Sequence, residues 1–150
     1  MKEQAAIDLH IHSALSPCSD DDMTPNNIVN MALLCGLDAI AVTDHNSCEN
    51  VEAVIKAAND RIVVIPGMEL QTIEEVHILC YFRFLSSLYD FQQQLAGLYD
   101  GIPNTPSIFG NQRIMNEMDE VIGEVEQSLL TSLSISLDDA VGLVRQHHGV

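Results

Sequence analysis

Positive charge is scarce in this sequence. Six Lys and Arg stand against 22 Asp and Glu, a formal net charge of −16 over 150 residues. Surfaces that hold nucleic acid or anionic lipid need clustered cations, so neither a stable nucleic-acid complex nor a membrane partner is expected. Tryptophan is absent and aromatics make up 5%, so the core must be aliphatic. No apolar run approaches the length of a membrane span, and the opening MKEQAAIDLHIHS lacks the apolar stretch of a secretory signal. Cysteines at 18, 35, 48 and 80 form no CxxC pair, which removes the zinc-ribbon and thioredoxin readings. With no secretion signal, reduced thiols in a cytoplasm are the expectation. Cys35 and Cys80 lie among apolar residues and read as small buried hydrophobes. Cys18 and Cys48 fall near the His-rich loops but are not counted as metal ligands. No Gly-rich phosphate loop is present to suggest nucleotidyl transfer.

What is present is enough chain for one real core, with 47% hydrophobic residues. Strand and helix patterns alternate along it. Residues 5–11 read as a strand. Thr24 and Pro25 read as the N-cap and first position of a helix, with Ile28, Met31, Ala32 and Cys35 on one face and Gly36 as the stop. Residues 38–43, DAIAVT, suit a buried strand. Ser47 is the expected cap of a second helix carrying Val51, Val54, Ile55 and Ala58. A third strand over 62–65 is closed by Pro66 and Gly67. Residues 76–82 form a fourth strand, 85–99 a helix and 102–110 a loop. The segment 113–126 fits a helix or a hairpin turning near Asp119 and Glu120, and the hairpin is preferred. Ser136 caps a last helix over 137–148, with Asp139 at the capping-box position, and Val150 begins another strand. Strands separated by helices imply a parallel sheet or barrel.

The polar residues fall at particular places in this pattern. In DLHIHS, Asp8, His10 and His12 alternate with Leu9 and Ile11, so a strand puts the polar three on one face. Asp44 and His45 end the second strand, Glu69 follows the third, and His77 lies in the fourth. Loops beyond the carboxyl ends of parallel strands form the ligand site of such folds. Four imidazoles and a carboxylate meeting there make an N/O donor set suited to Zn, Mn or Fe(II). Taken singly, several have plainer readings. A lone strand histidine such as His77 is usually a hydrogen-bonded core residue, Asp20, Asp21 and Asp22 are usually a solvated loop, and His147 and His148 read as surface residues near a helix C-terminus.

DLHIHS, SDDDMTP, GLDAIAVTDHN, VIPGMEL and VHILCYF resemble, in order and spacing, the motifs of the polymerase-and-histidinol-phosphatase (PHP) superfamily. The resemblance implies an α/β fold, the N-terminal part of a distorted (β/α)7 barrel with outer helices, holding two or three divalent metal ions. It also implies metal-dependent hydrolysis of a phosphate ester, a nucleotide or small phosphomonoester. By the same resemblance His10, His12, Asp20, His45, Glu69 and His77 are metal ligands, with Glu69 bridging, while Asp8 and Asp44 support the site. Asp21 stands where the family has glycine. The family's later ligand histidine in an AHP-like strand and its Asp-x-His have no counterpart here. Residues 1–150 therefore read as a single PHP domain that stops before its C-terminal strands, as part of a longer phosphoesterase. Self-association of the partial barrel is expected. Two other classes stand beside this one. One is a PHP module with a structural or regulatory role and little catalysis. The other is a carbon–nitrogen hydrolase, whose usual carbamylated lysine has only Lys2 and Lys56 as candidates, neither at a strand end.

Overall fold

The structure is a computed structural model that describes residues 4–150; Lys2 lies outside them. One mixed sheet organises the chain, in the order β1 (Ile7–Ile11), β2 (Ala39–Val42), β3 (Val63–Gln71) and β4 (His77–Tyr81). The first three strands are parallel, joined by crossover helices α1 (Pro25–Leu34) and α2 (Val51–Ala58). The sheet curls into a half-barrel, as the motif order implies.

The fourth strand departs from the expected parallel array. No helix separates β3 from β4, and the two pair as an antiparallel hairpin from Gly67↔Tyr81 to Gln71↔His77. Nor does β3 stop at Pro66. Its first half pairs with β2 and its second half with β4. Proline fits at the changeover because Pro66 needs only its carbonyl, which accepts from Phe82 N–H at 2.9 Å. Gly67 allows the close approach there: a Cβ at this position would lie 2.9 Å from Thr43 Cγ2 and 3.2 Å from the Cys80 carbonyl.

Helix α1 begins as its sequence dictates, with Thr24 Oγ1 accepting from Asn27 N–H and Pro25 at the first position, and it ends at Gly36 with φ +72°. Helix α2 starts at Val51, after Asn50 rather than a cap at Ser47. The Asn50 amide is spent on tertiary contacts, donating to Ser13 Oγ and Arg113 O and accepting from Met115 N–H. Helix α3 (Leu85–Leu95) is four residues shorter than the pattern suggests; Tyr99 instead donates its hydroxyl to Asn46 O at 2.6 Å. The segment read as a loop holds one short helical turn, α4 (Pro106–Phe109). The ambiguous segment is a hairpin, β5 (Arg113–Met115) with β6 (Val121–Glu124), turning through Asp119 at φ +63°. Helix α5 (Leu137–Gln146) is capped by Ser136, whose hydroxyl accepts from Asp139 N–H. Beyond it Val150 exchanges two 2.9 Å backbone hydrogen bonds with Tyr81, on the outer edge of β4.

The core between sheet and helices is aliphatic, built on residues such as Val29, Ile40, Val42, Val54, Met68 and Leu70, with a single close aromatic pair, Phe82 and Phe91. Cys48 and Cys80 are buried, but Cys35 is exposed at the end of α1. There the helix has already turned away from the core toward Gly36. No helix among the described residues is long and apolar enough to cross a membrane.

Among the described residues β1 pairs with β2 alone, and Ile7, Met31 and Leu34 on that flank are more than half exposed. An unpaired edge beside apolar side chains favours pairing between chains. Sedimentation velocity is expected to show concentration-dependent association, reduced by Ile7→Lys. A single monomeric boundary at all concentrations contradicts this.

Candidate metal centre

The carboxyl ends of β1, β2 and β3 and the start of β4 deliver five side chains to one point. The alternation in β1 turns His10 and His12 toward Glu69, whose Oε2 lies 3.1 Å from His10 Nε2 and 2.9 Å from His12 Nε2. His45, just past β2, places Nδ1 3.4 Å from the same oxygen. His45 and Glu69 are held level by a parallel bridge, with Glu69 N–H donating to Asp44 O and Asn46 N–H donating to Glu69 O. His77 Nδ1 lies 2.9 Å from the other oxygen, Oε1. Its position early in β4 is resolved by strand direction: an antiparallel strand starts where its parallel neighbours end.

Behind this cluster lies Asp44, fully buried. Its carboxylate accepts from Ser13 N–H at 2.7 Å, Ser13 Oγ at 2.6 Å and Ser16 Oγ at 2.7 Å. Ser16 Oγ also lies 2.9 Å from His12 Nδ1 and accepts from His45 N–H at 3.1 Å. A hydroxyl has one proton, and an ionised Asp44 can only accept. Ser16 therefore donates to Asp44, and His12 must carry its proton on Nδ1 and donate it to Ser16. The Nε2 lone pair of His12 is then aimed at Glu69 Oε2 and at His10 Nε2, 3.0 Å away.

That arrangement tests the fit of a cation. Two acceptors face one another at 2.9 Å, four imidazoles surround one carboxylate, and the buried His45 Nδ1 has no hydrogen-bond partner. A divalent ion satisfies all three conditions, and neutral imidazole with carboxylate suits Zn, Mn or Fe(II). The electrostatics agree. Burial, with the nearby His12, lowers the His45 pKa to about 4, keeping the ring neutral with one nitrogen able to donate a lone pair. Burial pushes the Glu69 carboxyl up, but hydrogen bonds from His10 and His77 outweigh it and hold the group below the ordinary carboxylate range. Burial raises Asp44 against the opposing pull of Ser13 and Ser16.

Within the described residues, the metal-type donors that approach within 4.8 Å of one another form three groups: His10–His12–Glu69, His45–Glu69–His77 and His12–Cys18–His45. Asp20 is in none of them; its Oδ1 accepts from Asp22 N–H and shapes the loop. Asp21 pairs with Arg113 at 3.0 Å and with Asn111. Asp8 accepts from the backbone N–H of His10 at 3.1 Å, steadying the strand rather than an imidazole ring. Sequence reasoning missed Ser13 and Ser16, and set Cys18 aside. Serines in a loop carry no mark of the acid they bind, and only the fold shows that Asp44 lies between them.

Two measurements follow from this geometry. Ser16→Ala strips a donor from buried Asp44 and frees the His12 ring. It is expected to cost about 1–3 kcal/mol in urea unfolding and to weaken metal affinity about 10–100-fold. Unchanged affinity contradicts the relay. The second concerns pH in the metal-free chain. His45 keeps its neutral form down to about 4 when folded, whereas the unfolded chain takes up that proton near its ordinary value of about 6.5. Stability is thus lost as pH falls through that window, and the depressed Glu69 extends the loss to lower pH. Urea midpoints should drop from pH 7 to 4.5, less steeply in His45→Gln; equal slopes in the two proteins contradict the assignment.

No curated protein matches the chain. Among solved structures, the lesion-specific endonuclease PfuEndoQ from Pyrococcus furiosus is similar over 97% of this chain and 33% of its own, at 18% identity and a TM-score of 0.71. An amidohydrolase from Chromobacterium violaceum, with bound sulfate and no metal, is similar over 97% of this chain and 65% of its own, at 20% identity and a TM-score of 0.58. The chain thus spans about a third of one relative and under two thirds of the other, and at these identities the likeness is one of fold. The PHP domain family model matches residues 8–146, from the first motif acid to the last turn of α5. Strand order, motif spacing and the histidine–glutamate cluster meet in that match: the chain belongs to the PHP domain family.

Proposed function

We propose that these residues belong to a metal-dependent phosphoesterase acting on a nucleotide or small phosphomonoester, with His10, His12, His45, Glu69 and His77 as metal ligands. The observation that carries this reading is the convergence of four imidazoles on the two oxygens of Glu69. Oε2 faces three histidines and Oε1 the fourth, so Glu69 would offer one oxygen to each of two ions. Asp20 belongs to the rim of the site. Asp44, through Ser16, fixes the His12 tautomer that offers Nε2 outward. Asp8 holds the backbone turn of His10. Zinc, manganese or iron held by these residues would polarise a phosphoryl oxygen of the substrate and lower the pKa of a bound water. Phosphate brings two negative charges to a chain of net charge −16, so the cluster itself must supply the attraction. Arg113 does not serve freely, being engaged by Asp21.

The test compares the metal-free, zinc-loaded and manganese-loaded chain on an aryl phosphate and a nucleotide, beside Glu69→Ala. Slow metal-dependent release of phosphate is expected from this chain, and its loss in Glu69→Ala should exceed the roughly 10–100-fold of lost supporting contacts. Metal bound at the cluster without hydrolysis of either ester makes the non-catalytic module the better account.

A further inference from the structure

Cys18 is the member of the cluster that this reading leaves without a role. It lies in a loop that the sequence alone would leave free to wander. In the structure, residues 13–19 fold back in two successive turns, Ser16 N–H donating to Ser13 O at 3.0 Å and Ser19 N–H to Ser16 O at 2.9 Å. Both serines that begin these turns are tied to the buried Asp44. The Pro17 carbonyl is backed by Gly110, where a Cβ would come within 2.3 Å of it. The loop is therefore held from two sides. It carries the Cys18 sulfur over the end of β1, where Sγ and one ring nitrogen each of His12 and His45 lie within 4.8 Å of one another.

A thiol near two imidazoles is not by itself a site. The second observation is His45. Only 7% of its surface is exposed, and its Nδ1 is buried without a hydrogen-bond partner. Its one close polar neighbour is Glu69 Oε2 at 3.4 Å, and a buried imidazole nitrogen without a hydrogen bond costs free energy that a bound ion removes. Meanwhile Asp20, the oxygen donor that resemblance assigns to this loop, is in none of the clustered donor groups, and its Oδ1 accepts from Asp22 N–H. The donor that the loop presents to His12 and His45 is sulfur.

We propose that Cys18 is a metal ligand, forming with His12 and His45 a thiolate-bearing position of the centre that favours zinc or iron(II) over manganese or magnesium. This rests on the metal-centre reading above and names which ion that centre selects. On binding, the metal–sulfur bond forms as the S–H proton leaves to solvent. One thiolate and two neutral imidazoles then face the ion, a combination that zinc accepts readily and hard cations do not.

Alkylation and spectroscopy of the 150-residue chain test this. Zinc content is measured first, then the rate of iodoacetamide reaction at each cysteine. Bound zinc should slow reaction at Cys18 many-fold and leave the exposed Cys35 unchanged. The cobalt(II)-loaded chain should show a near-ultraviolet thiolate-to-metal absorption that disappears in both Cys18→Ser and Cys18→Ala while visible cobalt bands remain. Zinc affinity should fall more than ~10-fold in Cys18→Ser, with manganese affinity unchanged. If metal binds but Cys18 reacts as fast as in the metal-free chain, or the near-ultraviolet band survives substitution, the thiolate ligand is disproved and the rest of the centre stands. If no divalent metal binds at all, both readings fall together.

Discussion

The Asp44 carboxylate is the constraint on which the site end of the molecule depends. A buried ionised carboxylate is expensive unless several donors meet it. Here the backbone N–H of Ser13 and the hydroxyls of Ser13 and Ser16 do so. Satisfying that one charge fixes the loop after β1, orients His12, and joins β1 to the end of β2. The same network extends outward. Asn50 touches Ser13 and also both the carbonyl of Arg113 and the amide of Met115, so its amide helps fasten the β5–β6 hairpin to the strand ends, beside Arg113 N–H donating to Ala14 O. Replacing Asp44 by a neutral group would loosen elements far apart in sequence.

Much of this was legible in the residues, and the rest was hidden for definable reasons. The strands β1 to β3 and helices α1 and α5 followed from periodicity and capping, because those signals are local. The hairpin near Asp119 was one of two readings of its segment, and the turn decided it. Three features were obscured by tertiary demands. Ser47 looked like a helix cap, but the chain from 43 to 48 is buried against the site and the helix waits until Val51. Pro66 looked like a terminator, yet at a point where a strand changes partners its missing N–H is not needed. The direction of β4 could have been read from the absence of any helical stretch between Gln71 and His77.

Within the donor cluster, the four histidines and Glu69 were legible because strand alternation and strand-end position are sequence properties. In the sequence Asp20 reads as a ligand and Cys18 does not, because both sit in a loop whose path depends on Asp44, far along the chain, which the sequence does not show. The family match covers the strands and loops that carry the cluster, and the geometry shows which of their side chains meet.

The β3–β4 hairpin has a consequence for how the site comes into being. Glu69 and His77 are eight residues apart, and the turn between them closes with Thr72 N–H donating to Val76 O. His10 and Glu69 are 59 residues apart. Loop closure costs less entropy over a short span than a long one, and hairpins form in microseconds. The Glu69–His77 pair is therefore the part of the cluster that costs the least chain entropy to bring together, and β1 with its two histidines is the part that costs the most.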